Sequence, residues 1–145
     1  MSGILLVRDV MTPAVKTVKV TDSVMEAVRK MNKFKIGSVI VMDRERPVGI
    51  VTERDILERV VEQSVDPNLV EVKNIMSTPL ITVEPEVNME DAARLMAKKR
   101  IKKLVVVKEG RLIGVVTTMD IVRHGPKLID LFQEMLRTRQ ASPRS

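Results

Sequence analysis

The sequence predicts a mixed α/β (α+β) fold: one β-α-β-β-α unit used twice, packed about a pseudo-twofold axis, with a C-terminal helix added. Three observations predict it. A shift of 65 residues carries Val7–Leu57 onto Val72–Val122 without a gap, with identities such as Met11/Met76, Thr17/Thr82, Gly49/Gly114, Thr52/Thr117 and Asp55/Asp120. Within each copy, apolar runs of strand length alternate with capped amphipathic stretches. Two copies are also too few for an open solenoid, so the pair is expected to close on itself. The expected boundaries are residues 1–66 for the first repeat, 67–124 for the second and 125–145 for a C-terminal helix with a disordered tail.

Each unit opens with a short apolar lead-in, 4–11 and 69–76. Met11-Thr12-Pro13 and Met76-Ser77-Thr78-Pro79 then break the backbone into a loop, because proline cannot continue a helix. Short strands follow at 15–20 and 80–83. Ser23-x-x-Glu26 and Asn88-x-x-Asp91 mark the start of matching helices whose apolar faces carry Val24, Ala27, Val28 and Met31, and Met89, Ala92, Ala93 and Met96. The runs 38–42 and 103–107 are continuously apolar rather than alternating, which predicts strands covered on both faces. Turns at 43–47 and 108–111 lead to return strands 48–51 and 112–116, making each pair a hairpin. The last helix of each unit runs from Glu53 to about Gln63 and from Thr118 to about Arg123. Beyond Gly125-Pro126 a further helix, 127–139, has no counterpart in the first copy; it either seals the core or faces a partner.

Composition narrows the function. With 44% apolar and 30% charged residues the chain reads as globular, and no apolar run approaches the length that crosses a bilayer. Cysteine is absent, which excludes disulfides and thiolate metal sites and suits a cytoplasmic protein. The lone histidine, His124, reads as a surface or capping residue at a helix break. No histidine pair, nucleophile–base pair or Walker-type loop is visible, so no catalytic residues are expected and the protein is read as not an enzyme. The net charge of +6 admits nucleic acid, anionic lipid or a phosphorylated ligand. With no tryptophan, no tyrosine and two phenylalanines, base stacking has almost nothing to stack on. No long basic run stands out.

The chemistry concentrates in Gly49-Ile50-Val51-Thr52-Glu53-Arg54-Asp55-Ile56 and its copy Gly114-Val115-Val116-Thr117-Thr118-Met119-Asp120-Ile121. Each runs from a strand into a helix. Thr-x-x-Asp there is a capping box by spacing alone. The same helix start, with unpaired N–H groups and partial positive charge, can also hold phosphate, and the carboxylate beside it can accept from a ribose.

Taken with Val-Met-Thr-Pro at 10–13, Ile-Gly-Ser-Val-Ile-Val at 36–41 and Ile-Met-Ser-Thr-Pro at 75–79, these motifs give the chain a recognisable character. From about residue 4 to 123 it resembles a stand-alone pair of cystathionine β-synthase (CBS) domains, a Bateman module. The resemblance implies a regulatory or sensory module that binds adenosine compounds: AMP, ADP, ATP (with Mg2+) or S-adenosylmethionine. It implies two composite clefts. One would use Lys102, Thr117 and Asp120 with Lys16, Ile36 and Gly37; the other Thr52, Arg54 and Asp55 with Ile81, Ile101 and Lys103. Thr17, Ser38 and Thr82 complete the ligand-binding set. The aspartates would hold ribose hydroxyls, the threonines phosphate, and aliphatic side chains the adenine. A homodimer of modules, an unnamed regulated protein as partner and no membrane contact are expected. A nucleic-acid-binding protein and a structural adaptor with vestigial clefts remain the alternatives.

Overall fold

The structure, a computed structural model, describes residues 4–124 together with Gln133 and Arg137. The helix expected over 127–139 and the tail after it lie outside the described residues, apart from those two positions.

The two repeats form two sheets of the same design. In the first, β1 (Thr17–Lys19) lies parallel to β2 (Ser38–Asp43), which pairs antiparallel with β3 (Arg46–Thr52). In the second, β4 (Thr82–Val83) lies parallel to β5 (Lys103–Lys108), followed in sheet order by β6 (Arg111–Thr117). The β-α-β crossovers are made by α2 (Val24–Phe34) and α4 (Met89–Lys99). Both helices start where the sequence places them. Ser23 accepts from the Glu26 amide at 3.1 Å, and Asn88 accepts from the amide of Glu90, one residue earlier than the capping spacing implied. Both end at a left-handed residue, Lys35 and Arg100.

The hairpins are tighter than expected. The turns are reduced to Arg44-Glu45 and Glu109-Gly110, with Arg44, Glu109 and Gly110 at positive φ. Pro47 therefore sits inside β3 rather than in the turn. It is tolerated there because the ladder is irregular between Val41 and Met42, beside its register partner Met42. The last helix of the first repeat, α3 (Glu53–Ile56), passes into a π-helical turn over Leu57–Val61, whereas α5 (Thr118–Arg123) stays α-helical.

The lead-ins do not pack within their own repeats. The chain divides into two compact units. One comprises the described residues of Met1–Ala14, Ile81–Glu109 and Ile113–Ser145; the other comprises Val15–Leu80 and Gly110–Leu112. In the first unit, α1 (Val7–Val10) buries Val7 and Val10 in a core with Met89, Ala92, Met96, Leu104 and Ile121. In the second, Val72 of the 3-10 turn Val72–Asn74 and Ile75 just after it join Val24, Ala27, Met31, Val39 and Val51. Each repeat thus completes its core with the lead-in of the other, so boundaries drawn at 66 and 67 do not coincide with the packing units.

The contact is the same in both units. Thr12 forms a single antiparallel bridge with Val115 of β6, and Ser77 with Ile50 of β3. Each bridge carries two backbone hydrogen bonds, 2.8 and 3.0 Å in one case and 2.8 and 3.1 Å in the other. The methionine just before each bridge, Met11 or Met76, lies against the motif glycine, Gly114 or Gly49.

Candidate functional site

The Thr-x-x-Asp motifs fold as capping boxes, and they do so identically. Thr52 Oγ1 accepts from the Asp55 amide at 3.1 Å, while Asp55 Oδ2 accepts from the Thr52 amide and hydroxyl at 2.9 and 3.0 Å. At the second motif, Thr117 Oγ1 accepts from the Asp120 amide at 3.2 Å, and Asp120 Oδ2 accepts from the Thr117 amide and hydroxyl at 2.9 and 3.2 Å. The first amide of each helix donates to the carbonyl of Gly37 or Lys102, both at 3.1 Å. Two of the first three helical amides are therefore spoken for, and the helix starts offer an anion fewer donors than the motif read alone suggests.

The sequence reading missed the third partner of each carboxylate. Ser77 Oγ donates to Asp55 Oδ1 at 2.7 Å, and Thr12 Oγ1 donates to Asp120 Oδ1 at 3.2 Å. Thr12 and Ser77 are related by the 65-residue shift, so each lead-in hydroxyl reaches the aspartate of the other repeat. The signal was present as a hydroxyl residue after Met in both lead-ins. An arginine follows each aspartate. Arg59 Nη1 lies 3.9 Å from Asp55 Oδ1 and donates to the carbonyls of Ile75 and Met76 at 2.9 and 3.0 Å; Arg123 Nη1 lies 3.4 Å from Asp120 Oδ1. Asp55 and Asp120 are 4% and 3% exposed, and with Ser38 they are the buried polar residues among the described residues.

The other expected residues are distributed more loosely. Ser38 is the register partner of Thr52 across β2 and β3. Gly37 touches the start of α3, where an added Cβ would meet Glu53 Oε1. Ile36 packs against the core of the same unit. Lys16 places Nζ 4.2 Å from the Phe34 ring, and the Thr17 carbonyl accepts from Lys30 Nζ at 2.6 Å. Arg54 is exposed and pairs with Glu58 at 3.5 Å on the solvent side. In the other unit, Ile81 and Ile101 pack against the core, Thr82 pairs with Val105, and Lys102 is exposed. Burial lowers the pKa of the Lys103 ammonium, and the attraction of Asp120 opposes that shift. A recess of about 230 Å³ is lined by Val28, Met31, Asn32, Ile36, Glu53 and Leu57; it takes in Ile36 but neither Thr52 nor Asp55.

Lys98, Lys99, Arg100 and Lys102 are all exposed at the end of α4, a basic run that the sequence reading passed over. His124 Nδ1 lies 2.8 Å from the Asp120 carbonyl at the end of α5, as expected of a capping residue. Among the described residues no helix is long and apolar enough to cross a membrane.

Known proteins share this fold. The model of the CBS domain matches twice, over residues 7–62 and 72–127. The CBS domain-containing protein YhcV of Bacillus subtilis is 34% identical over 115 residues, covering 79% of this chain and 81% of that protein. An uncharacterized protein of Methanopyrus kandleri is 38% identical over 122 residues, and there the match spans 83% of this chain but 62% of the relative's length. Among solved structures, a conserved CBS domain protein of unknown function from Thermoplasma acidophilum superposes with a TM-score of 0.81 at 25% identity, over 97% of this chain and 79% of that one. A hexameric CBS-CP12 protein from bloom-forming cyanobacteria gives 0.76 at 32% identity, over 88% and 75%.

Proposed function

The chain belongs to the CBS domain family, with the domain carried twice in tandem, and from that premise we propose a regulatory module that binds an adenosine compound: AMP, ADP, ATP or S-adenosylmethionine. Tandem CBS pairs are in general regulatory, ligand-binding modules, and this one acts by passing ligand occupancy to a partner protein rather than by catalysis.

One observation carries the reading most of the way. The fold buries two carboxylates, Asp55 and Asp120, in the same setting at the same place in each repeat. Capping a helix does not require a fully buried side chain; the half-buried Ser23 and Asn88 caps serve the longer helices α2 and α4. A buried acceptor that neighbours a threonine hydroxyl suits a ribose diol. Aliphatic Ile36, Ile81 and Ile101 suit an adenine ring, and Lys16, Lys102 and Lys103 suit phosphate, with Mg2+ accompanying ATP. The chain works as a homodimer of modules in this account; among the similar structures, the CBS-CP12 protein is hexameric.

A second reading, an adaptor with vestigial clefts, draws on the fact that both boxes are satisfied by protein groups alone. Thermal denaturation across a panel of the four compounds, with GMP as control, separates the two. A compound that binds only the folded state stabilises it by about 2.7 kcal/mol at a hundredfold excess over Kd. The sensor reading expects at least one adenosine compound to raise Tm by several degrees and GMP to leave it unchanged. No shift with any of the four leaves the adaptor.

A further inference from the structure

The carboxylate oxygens of the two motifs are already occupied, and by donors from an unexpected direction. An ionised carboxylate offers about four lone-pair positions. At Asp120 they are matched by the Thr117 amide, the Thr117 hydroxyl, the Thr12 hydroxyl and Arg123. At Asp55 three are matched, by the Thr52 amide, the Thr52 hydroxyl and the Ser77 hydroxyl, with Arg59 further off on the same oxygen as Ser77. A ribose diol needs two acceptor positions. Neither aspartate has two to give.

We infer that Thr12 and Ser77 gate the two sites: each lead-in hydroxyl holds the acceptor oxygen that a ribose diol needs, and ligand binds only as that hydroxyl gives way. The inference rests on the nucleotide reading above and specifies its regulation. The donor that yields is the lead-in hydroxyl, for a physical reason. The Thr52 and Thr117 contacts lie within the helix cap, and breaking them undoes the box. The Ser77 and Thr12 contacts are side-chain hydrogen bonds outside the box, so a rotation about one side-chain bond releases them while the backbone bridge beside each stays in place. The arginines are exposed over half or nearly half of their side chains, can swing into solvent and are less able to exclude a ligand.

Because the gating hydroxyl comes from the lead-in of the other repeat, ligand at one aspartate acts on the chain that leads into that repeat. Asp120 reports to Thr12, which stands five residues before Thr17 of β1; Asp55 reports to Ser77, five residues before Thr82 of β4.

The test is calorimetric titration of the full chain with AMP and with 2′,3′-dideoxy-AMP, which lacks the diol. The variants are Ser77→Ala and Thr12→Val, with Ser77→Thr and Thr12→Ser as conservative controls. Ser77→Cys serves as a second, size-matched deletion of the strong donor. Removing a gate is expected to tighten AMP about threefold to tenfold, the range for one net hydrogen bond. Dideoxy-AMP is expected to be unchanged, and the conservative controls to match the parent. A loss of packing would instead move both ligands together. Equal or weaker AMP binding in Ser77→Ala, Ser77→Cys and Thr12→Val overturns the gate while leaving the nucleotide reading intact. AMP binding by the deletion variants but not the parent supports a gate that is closed at rest. No AMP binding by parent or any variant overturns the gate for AMP, and if ADP, ATP and S-adenosylmethionine also leave Tm unchanged it overturns the nucleotide reading as well.

Discussion

Asp120→Ala destabilises the protein by about 3 kcal/mol, the upper end for removing a charged hydrogen-bond acceptor. The spacing Thr117-x-x-Asp120 by itself predicts much less: an N-terminal box whose loss costs about 1 kcal/mol, with asparagine able to do part of the work. The structure raises the figure because the carboxylate also holds a segment remote in sequence. Alanine leaves the Thr117 amide without its acceptor beside a position that is 3% exposed, and it unties the exposed Thr12 hydroxyl and the Arg123 guanidinium from the helix start. Asparagine keeps one acceptor oxygen for Thr117 but turns an amino group toward Thr12 and Arg123, so Asp120→Asn costs about 1–2 kcal/mol rather than a few tenths. Asp55 behaves alike through Thr52, Ser77 and Arg59. Chemical denaturation reads these values. A double-mutant cycle of Asp120→Ala with Thr12→Val shows coupling if the two side chains act together, and additivity within about 0.5 kcal/mol means that they do not.

Gly49→Ala and Gly114→Ala are the second large effect, about 1–3 kcal/mol each. A methyl group at position 114 meets Met11 Sδ at 2.7 Å and the Thr12 carbonyl oxygen at 3.0 Å. One at position 49 meets Met76 Sδ and the Ser77 carbonyl oxygen, the latter at 3.2 Å. The thioether can turn aside, but the carbonyl cannot, because it accepts the bridge hydrogen bond from Val115 or Ile50. The substitution therefore lifts the lead-in off the strand. Adding Met11→Ala to Gly114→Ala relieves the side-chain clash and leaves the carbonyl contact, so the recovery is partial. Full recovery on denaturation shows that the sulfur alone was crowded.

The elements themselves were legible because their signals are local. The 65-residue shift, the uninterrupted apolar runs of β2 and β5, and the caps at Ser23, Asn88, Thr52 and Thr117 all sit within a few residues of what they specify. The exchange of lead-ins was not legible in the same way. Thr12 lies 108 residues from Asp120, and no periodicity encodes which repeat a segment completes. The paired identities Met11/Met76 and Gly49/Gly114 are its trace, since a glycine is demanded wherever a methionine from elsewhere presses on a strand. The π-helical turn after Asp55 and the short hairpin that takes in Pro47 depend on register, which apolar patterning specifies only to within a residue or two. Within the candidate site, the Thr-x-x-Asp boxes were readable as caps, and the motif alone does not tell that their aspartates are buried or that a lead-in hydroxyl sits on each.

On the function proposed above, adenosine compounds bind through Asp55 and Asp120. The measurement that bears on it most directly is calorimetric titration of AMP into the parent chain, into Asp55→Asn and Asp120→Asn singly, and into the double variant, each at a temperature where denaturation shows it folded. The account predicts saturable binding by the parent, loss of about tenfold or more in affinity at one class of site in each single variant, consistent with the loss of charged hydrogen bonds, and no saturable binding by the double variant. Folded single and double variants that bind AMP as the parent does would contradict it, and would leave the two aspartates as structural caps.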